Sequence, residues 1–313
     1  MEDKFNVTYI TLGGHVELQK YRYLYFVVTF AFYILIICCN STIVCLIVIH
    51  KNLHEPMYIF IAALLINSIL YTTTIFPKLL TDFLSETQVI TYQACLFQAF
   101  IYYTLFFSEF ILLAAMAYDR YVSICKPLQY PTIMSTKTVS ILLSLGWLVP
   151  ACEVVGTTTI SSYQRLCSFN MNVIFCNTSI YKLFCVPSKV ATIYGAFGFV
   201  YLVVFPVFFI VFSYTRIFII CYHSSSEVKR KAAQTCVPHL LVLINNFILI
   251  TYDVITVRLE SDLPKIARLV TSLQLVLYTP LFNPIIYGLK MKEIYKHLKR
   301  LLRLYNNNTC CLH

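Results

Sequence analysis

The sequence predicts an all-α membrane protein: a bundle of seven transmembrane helices followed by a short amphipathic C-terminal helix. Three observations predict this class, namely a hydrophobic content of 59%, a charged content of only 12% and a mean hydropathy of +0.73. Soluble domains are about 45–50% apolar and about 25% charged. A chain this apolar would expose more hydrocarbon surface than water tolerates, so its solvent must be lipid.

Seven apolar runs are each long enough to cross a bilayer, for which a helix needs about 20 mostly apolar residues. Pro56, Pro127, Pro131 and Pro264 punctuate the breaks between runs. The predicted spans are 24–49, 57–80, 96–118, 139–158, 191–221, 233–256 and 266–288. They divide the chain into an extracellular N-terminus (1–23), a seven-helix domain (24–289) and a cytoplasmic helix and tail (290–313).

The distribution of the +10 net charge orients the chain. Lys and Arg cluster in the breaks that would face the cytoplasm if the N-terminus lies outside, and the segment after the seventh run is the most basic. We therefore predict a multi-pass plasma membrane protein with an extracellular N-terminus. The basic residues lie in short breaks between apolar runs, which does not indicate nucleic-acid binding.

Two further patterns agree with this orientation. Leu298, Leu301 and Leu302 lie among basic residues after the last run, which predicts an amphipathic helix on the anionic inner leaflet. NxS/T triplets at Asn6 and Asn177 fall on the predicted outer side, where glycosylation is expected. Such triplets are also common by chance, so both interpretations of them stay open.

Two motifs close the third and seventh runs. The third ends in MAYDRYVSICKPLQY, residues 116–130, and the seventh ends in PLFNPIIY, residues 280–287. D-R-Y and N-P-x-x-Y at these places resemble rhodopsin-like G-protein-coupled receptors, and the longer string resembles the olfactory receptor branch. Similar strings at 56–58, 77–78 and 231–236 extend the resemblance over nearly the whole chain. ALLINS and YDVITVRLESD are similar to the fish-type members of that family.

The resemblance implies coupling and switching roles for Asp119, Arg120, Tyr121, Tyr214, Asn283, Pro284 and Tyr287. Arg120 lies at the predicted membrane edge, where an unpaired charge is costly and Asp119 is the nearest partner. The pair would lock a resting state, and movement of the sixth helix would free Arg120 for the G protein. Without the surrounding motif, Arg120 would be interpreted as an arginine at the membrane interface that extends its charged group into water. Pro284 removes a helix hydrogen bond and makes a pivot, and Asn283 is expected to satisfy the freed groups.

Glu109 is a carboxyl group in the middle of the third run, where it costs a few kcal/mol. It shares a helix face with Arg120, so that face must point into the bundle. Rhodopsin-like receptors place an aspartate in the second helix for a sodium site, and Ser68 stands at the matching position here. Either Glu109 supplies the carboxylate of a sodium site with Ser68 and Asn283, or it is a protonated acid bonded to its neighbours. We expect no other metal and no cofactor.

Four of the thirteen cysteines fall on the predicted outer side, which is oxidising. Sequence alone permits three ways of pairing them. The resemblance favours Cys95 with Cys176, which would tether the second outer loop to the third helix, and Cys167 with Cys185.

A ligand cavity is expected between the helices, open to the outside and mostly apolar. Its expected walls are Tyr102, Tyr103, Phe106, Gly198, Tyr201, Phe247, Ile250, Thr251, Asp253 and Val254. Asp253 is the one acid near the mouth, with Arg258 and Lys265 close by in sequence. These charges either contact a polar ligand or form salt bridges in a solvated rim.

The resemblance implies a receptor that binds a small-molecule odorant and activates a heterotrimeric G protein, of the olfactory stimulatory type that raises cyclic AMP. The sequence contains no nucleophile–base pair, metal cluster or phosphate loop, so we do not expect an enzyme. One alternative is a non-olfactory receptor for an amine, but such a receptor is expected to have an acidic residue at the position of Tyr102. The other is a proton-coupled transporter, in which the lone buried Glu109 could carry the proton. Internal repeats are not visible, and both receptor motifs argue against a transporter.

Overall fold

Long helices form most of the chain, because its apolar runs contain few residues that break a helix. The structure is a computed structural model that describes residues 8–186, 188–222, 236–248 and 264–310. Its helices are α1 (Leu18–Ile49), α2 (Pro56–Leu84), α3 (Tyr92–Cys125), α4 (Tyr130–Ile133), α5 (Thr136–Ser162), α6 (Lys189–Phe199), α7 (Phe205–Tyr222), α8 (Cys236–Ile248), α9 (Lys265–Lys290) and α10 (Lys292–Cys310). Short 3-10 turns at Lys51–Leu53, Pro127–Gln129 and Thr178–Leu183 lie between them.

Six of the helical segments are long and apolar enough to cross a membrane, and α6 and α7 form one of them through a π-helical turn at Val200–Val204. The described part of α8 is also apolar but shorter. The predicted membrane helix bundle is confirmed. The helices extend past the predicted spans, as α3 does at 92–125 against 96–118. Polar residues are tolerated there because a helix can continue beyond the hydrocarbon core.

Side chains at the ends of several helices satisfy backbone N–H groups that no helical turn can reach. Thr91, Ser135 and Ser188 each accept a hydrogen bond from the backbone three residues on, and so begin α3, α5 and α6. Pro56 begins α2 at a position where a missing N–H costs nothing.

Helix α3 lies at the centre of the bundle and packs against α2, α5 and α7, while α2 also packs against α1 and α9. Its buried side chains, such as Leu112 and Met116, join Phe60 and Leu64 of α2 in one apolar core. Large apolar side chains on the outer faces stay exposed, for example Phe208 on α7. Such a surface suits lipid rather than water.

A small three-stranded sheet covers one end of the bundle. Strand β1 (Tyr9–Leu12) lies between β2 (Val89–Thr91), with which it is antiparallel, and β3 (Asn170–Met171), with which it is parallel. Both disulfide bonds lie at this end, which we call the disulfide end, and the opposite end is the Arg120 end. The sequence does not predict this sheet, because strands of two to four residues have no measurable alternation of polar and apolar positions.

Candidate functional site

At the Arg120 end, the last turns of α3 bury a charged pair. Asp119 is 0% and Arg120 is 7% exposed. Arg120 donates from Nε to Oδ2 of Asp119 at 2.9 Å, and its Nη2 also contacts that oxygen. Because both charges are withdrawn from water, the pair holds only as long as each partner stays in place. This is the closed arrangement that the D-R-Y motif predicts for a resting state.

Tyr130 is a third member of this lock that the sequence analysis missed. It begins α4, and its hydroxyl donates to Oδ1 of Asp119 at 2.8 Å. Burial and the neighbouring charge of Asp119 raise the pKa of Tyr130, so the phenol remains a hydrogen-bond donor at physiological pH. Both carboxylate oxygens of Asp119 therefore have partners. The only signal in the sequence was a tyrosine shortly after the motif.

Tyr214 of α7 and Tyr287 of α9 are buried in the core at the Arg120 end. Within the described residues, their hydroxyl groups have no hydrogen-bond partner. The His239 ring of α8 lies 5.7 Å from the Tyr287 ring, centroid to centroid, and its two nitrogens are likewise buried without partners. Tyr121 is partly buried against the same core.

Halfway along the bundle, Glu109 is the centre of a buried polar cluster. Its Oε1 accepts hydrogen bonds from the amide groups of Asn246 and Asn283, each at 3.1 Å. Asn283 also donates to Ser68 Oγ at 3.3 Å, and Thr279 donates to Asn246 Oδ1 at 2.9 Å. The structure thus brings together Ser68, Glu109 and Asn283 from three helices. Asn246 and Thr279 were not anticipated.

The donor set of this cluster fits a small hard cation. Asn283 Oδ1 is buried and has no hydrogen-bond partner among the described residues. The Glu109 carboxylate, the Ser68 hydroxyl and this amide oxygen are all oxygen donors, the type that Na⁺ prefers and transition metals do not. The amide nitrogen of Asn283 faces Glu109 and Ser68, so the amide would have to turn to present its oxygen to a cation bound between them. In the described parts of the chain, groups of three or more His, Cys, Asp or Glu suited to a metal ion are absent.

The backbone group freed by Pro284 has a different partner from the one expected. Proline lacks an N–H, so the carbonyl of Pro280, one turn earlier, loses its helical hydrogen bond. Asn40 of α1 donates to that carbonyl at 2.9 Å, and it also donates to Ile36 O at 2.8 Å. Asn283 instead points its amide at Ser68 and Glu109. The kinked helix is therefore tied to α1 as well as to the polar cluster.

At the disulfide end, the structure contains both cysteine pairs that the resemblance implies, Cys95–Cys176 and Cys167–Cys185. The first bond fixes the loop after α5 to the start of α3. Gln98 adds a second tether, since it accepts from Cys176 N at 3.0 Å and donates to Thr74 O at 3.1 Å.

An aromatic cluster lies beneath this loop. Tyr102 is 2% exposed, and its ring lies 4.8–5.2 Å from the rings of Tyr71, Tyr103 and Phe175 and 6.3 Å from that of Phe106. Phe175 comes from the loop itself, next to Cys176, and was not predicted. Three of the expected ligand-wall residues, Tyr102, Tyr103 and Phe106, are therefore gathered at one place.

The other expected wall residues are placed differently. A Cβ added to Gly198 would lie 2.5 Å from Glu153 Oε1, so this glycine faces α5. Tyr201 is 50% exposed and stacks on Phe197, while Leu202 beside it is buried. Phe247 on α8 is 52% exposed. The remaining wall residues lie outside the described residues: Ile250, Thr251, Asp253 and Val254.

A small cavity of about 30 Å³ lies between α3, α5 and the loop. Its lining includes Tyr103, Thr157, Thr158, Thr178 and Tyr181. A space of this size takes one or two water molecules and is too small for an odorant. Asn177 lies beside it, where its Oδ1 accepts from Ser179 N at 2.9 Å, and Asn6 falls outside the described residues.

Comparisons with known proteins agree with this geometry. A family profile described as olfactory receptor matches residues 29–304. Human olfactory receptor 11A1 is 33% identical over 307 residues, 97% of this chain and 96% of that protein. Human olfactory receptor 10AG1 is 34% identical over 93% of this chain and 97% of that protein. With the membrane helices, these matches make the chain a multi-pass plasma membrane protein and not an enzyme. The chain belongs to the olfactory receptor family of G-protein-coupled receptors.

Proposed function

We propose that this receptor binds a small-molecule odorant at its disulfide end and responds by releasing Arg120 to a stimulatory G protein that raises cyclic AMP. The observation that carries the proposal is the closed lock at the other end, where Arg120, Asp119 and Tyr130 are bonded together. A receptor needs two sites and two states that each ligand distinguishes. The Asp119–Arg120–Tyr130 contacts are the proposed resting state. Membership of the family implies the two ligands, an odorant and a G protein.

The ligand region rests on the aromatic cluster of Tyr102, Tyr103 and Phe106 beneath the loop that carries Cys176. Its aromatic surface favours an apolar or partly aromatic molecule, since such pockets are mostly apolar with a few polar groups. Asp253 stays a proposed ligand contact on the ground of its sequence position alone, since it lies outside the described residues. An odorant that rearranges this cluster would bias the bundle toward an open Arg120 end.

The test is cyclic AMP in cells that carry the receptor and an olfactory-type G protein, challenged with pooled amino acids, bile acids, amines, nucleotides, steroids and volatile odorants. We expect a response to one pool, and we expect Arg120→Ala to abolish it at equal surface expression. Arg22→Ala is the matched control, because Arg22 is partly exposed near the opposite end and its side chain bonds only to Gln19 among the described residues. Equal responses from both variants would contradict the role of Arg120.

We also propose that the Glu109 cluster binds Na⁺ in the resting state. Three observations support it: a carboxylate, a hydroxyl at the position of Ser68, and the unsatisfied Oδ1 of Asn283. A cation bound there would hold α2, α3 and α9 together and oppose opening. The alternative, a protonated Glu109 that is bonded only to its protein neighbours, predicts no dependence on sodium.

Thermal unfolding of the purified receptor separates these alternatives. In Na⁺, the wild type should unfold at a higher temperature than in choline at the same ionic strength, because a ligand of the folded state stabilises it. Glu109→Gln keeps the shape and the hydrogen bonds but removes the charge, and it should abolish the difference. Equal insensitivity of both proteins to sodium would rule out the ion site.

The orientation of the chain is a further proposal, with the N-terminus outside. It is supported by the disulfides at one end and by Lys51, Lys126 and the basic residues of α10 at the other. Glycosidase treatment of protein from cells should change its mobility, and Asn6→Gln with Asn177→Gln should remove the change. A cytoplasmic position of an N-terminal tag would contradict the orientation.

The branch of the family is also a proposal. ALLINS at residues 63–68 and YDVITVRLESD at 252–262 support a fish-type receptor. The human relatives named above are about one third identical, which leaves room for a distinct branch. A family tree that places the full chain among human receptors instead would overturn it.

A further inference from the structure

The N-terminal segment forms a strap, residues 9–17, that lies across the disulfide end of the bundle. We propose that His15 is a proton-sensitive latch in this strap, which holds the strap in place when neutral and releases it in acid. The strap contains no residue of the aromatic cluster or of the lock, and the inference does not depend on which odorant binds.

The strap holds together two other loops. Its strand β1 pairs Ile10 with Ile90 on one side and Thr11 with Asn170 on the other. Gly14 lies so close to Val173 that an added Cβ would be 2.4 Å from the backbone of that residue. The Val173 segment leads directly to the disulfide of the loop over the aromatic cluster. Release of the strap would therefore loosen the cover of the ligand region.

Three features describe the surroundings of the His15 ring. Its Nδ1 lies 3.4 Å from Leu12 O, so in the neutral ring this nitrogen carries the hydrogen and donates it. Its ring meets Phe83 of α2 edge to face at 5.8 Å. Its Nε2 is then the nitrogen with the lone pair, and it is buried with no hydrogen-bond partner among the described residues. A proton added at Nε2 would therefore place a charged N–H group where none of these residues accepts a hydrogen bond from it.

The charged groups that act on His15 belong to α2. Lys78 and Asp82 form an ion pair there, and Asp82 is only 2% exposed. Among the described residues, Asp82 Oδ2 is also buried without a partner, so this carboxylate favours an imidazolium while Lys78 opposes it. Gln88, from the segment between α2 and β2, adds a neutral amide that donates to Asp82 O. On the strap itself, Glu17 follows two residues later and is exposed.

Burial is the largest influence, and it lowers the pKa of His15 below its ordinary value near 6.5. The docked strap therefore takes up a proton less readily than the free strap does. Docking is fully stable above the ordinary pKa and weakens as pH falls from there toward the lowered pKa. Because one proton is involved, the opening equilibrium rises by at most about tenfold per pH unit in that interval.

Hydrogen exchange of the full-length receptor in lipid nanodiscs tests the latch without any odorant. Between pH 7.5 and 5.5, protection of the β1 amides, corrected for intrinsic rates, should fall while that of α3 stays constant. His15→Gln should remove this dependence, because glutamine does not titrate. His54→Gln is the matched control, since His54 lies near the Arg120 end and contacts only Val48 O within the described residues. It should leave the dependence intact.

Two further variants should change the acid-induced loss of β1 protection in opposite directions. They test the latch even if the strap of His15→Gln is undocked at every pH. Asp82→Asn removes the group that favours the imidazolium, so acid should release the strap more. Lys78→Met removes the group that opposes it, so acid should release the strap less. Protection that is independent of pH, that increases in acid, or that falls equally in His15→Gln would overturn the proposal.

Discussion

At the scale of the residue, several buried polar groups of this receptor have partners that lie far away in sequence. Asn40 of α1 bonds to Pro280 of α9, and Glu109 of α3 bonds to Asn246 of α8. An unsatisfied polar group in a lipid-embedded bundle costs several kcal/mol, which is why such residues must meet. A sequence therefore indicates that Glu109 needs a donor, but not which helix supplies it.

The bond from Tyr130 to Asp119 leads to the first prediction. Tyr130→Phe removes one hydrogen bond to a buried charge and leaves Oδ1 of Asp119 unsatisfied. Such a bond contributes about 1.5–3 kcal/mol. If the bond exists only in the closed state, basal cyclic AMP should rise by at least about tenfold where the active fraction is small, since each 1.4 kcal/mol is a factor of about ten. Tyr163→Phe is the control, because Tyr163 is 84% exposed at the other end. Unchanged basal activity in Tyr130→Phe would show that the bond is kept in both states.

At the scale of the element, the helices follow from apolar runs, but their local irregularities follow from prolines. Pro206 has no N–H to donate to Leu202 O, and its ring crowds that carbonyl. The helix between α6 and α7 widens to a π turn at Val200–Val204, immediately before it. The sheet is the opposite case, since its strands exist only because three separate segments meet.

A glycine in the strap provides the second prediction. In Gly14→Ala, the new Cβ would lie 2.4–2.8 Å from backbone atoms of Val173, which cannot rotate away. We expect a loss of about 1–3 kcal/mol in the stability of the strap, the range for overpacking. Hydrogen exchange of the β1 amides measures it.

Gly195→Ala is the matched control for this substitution. An added Cβ at Gly195 in α6 meets nothing within 4 Å, and alanine favours a helix by up to about 1 kcal/mol over glycine. This variant should leave the β1 amides unchanged and keep or raise the unfolding temperature. Equal protection of β1 in both variants would contradict the close approach of the strap to Val173.

At the scale of the whole molecule, large apolar side chains lie on the outer faces of the bundle as well as in its core. The contacts that hold its parts together lie at three levels along α3. The disulfide end holds loops by covalent bonds, the middle holds helices by the Glu109 cluster, and the other end holds the Asp119–Arg120 lock. Helix α3 contributes to all three, since Cys95, Glu109 and Arg120 lie along it. A change at one end can therefore reach the other through a single rigid element.

The third prediction concerns the two disulfides. Their cysteines are separated by 81 and 18 residues, so in the loop-entropy model they stabilise by about 4.5 and about 3 kcal/mol. Cys95→Ser with Cys176→Ser should lower the unfolding temperature more than Cys167→Ser with Cys185→Ser. The first pair should also lose odorant responses, because it fixes the loop over Tyr102. Equal losses of stability in both double variants would contradict this ranking.

The sequence by itself determined the class of this protein, because the length and hydrophobicity of its runs leave lipid as the only suitable solvent. It also determined which residues had to face inward, since charges such as Glu109 and Arg120 cannot face hydrocarbon. Only the tertiary structure decided the partners: Asn40 rather than Asn283 for the kinked helix, Tyr130 for Asp119, and a strap of residues 9–17 across the disulfide end. Periodicity identifies the face of a helix on which a residue lies, whereas a hydrogen bond depends on how two helices are placed against each other.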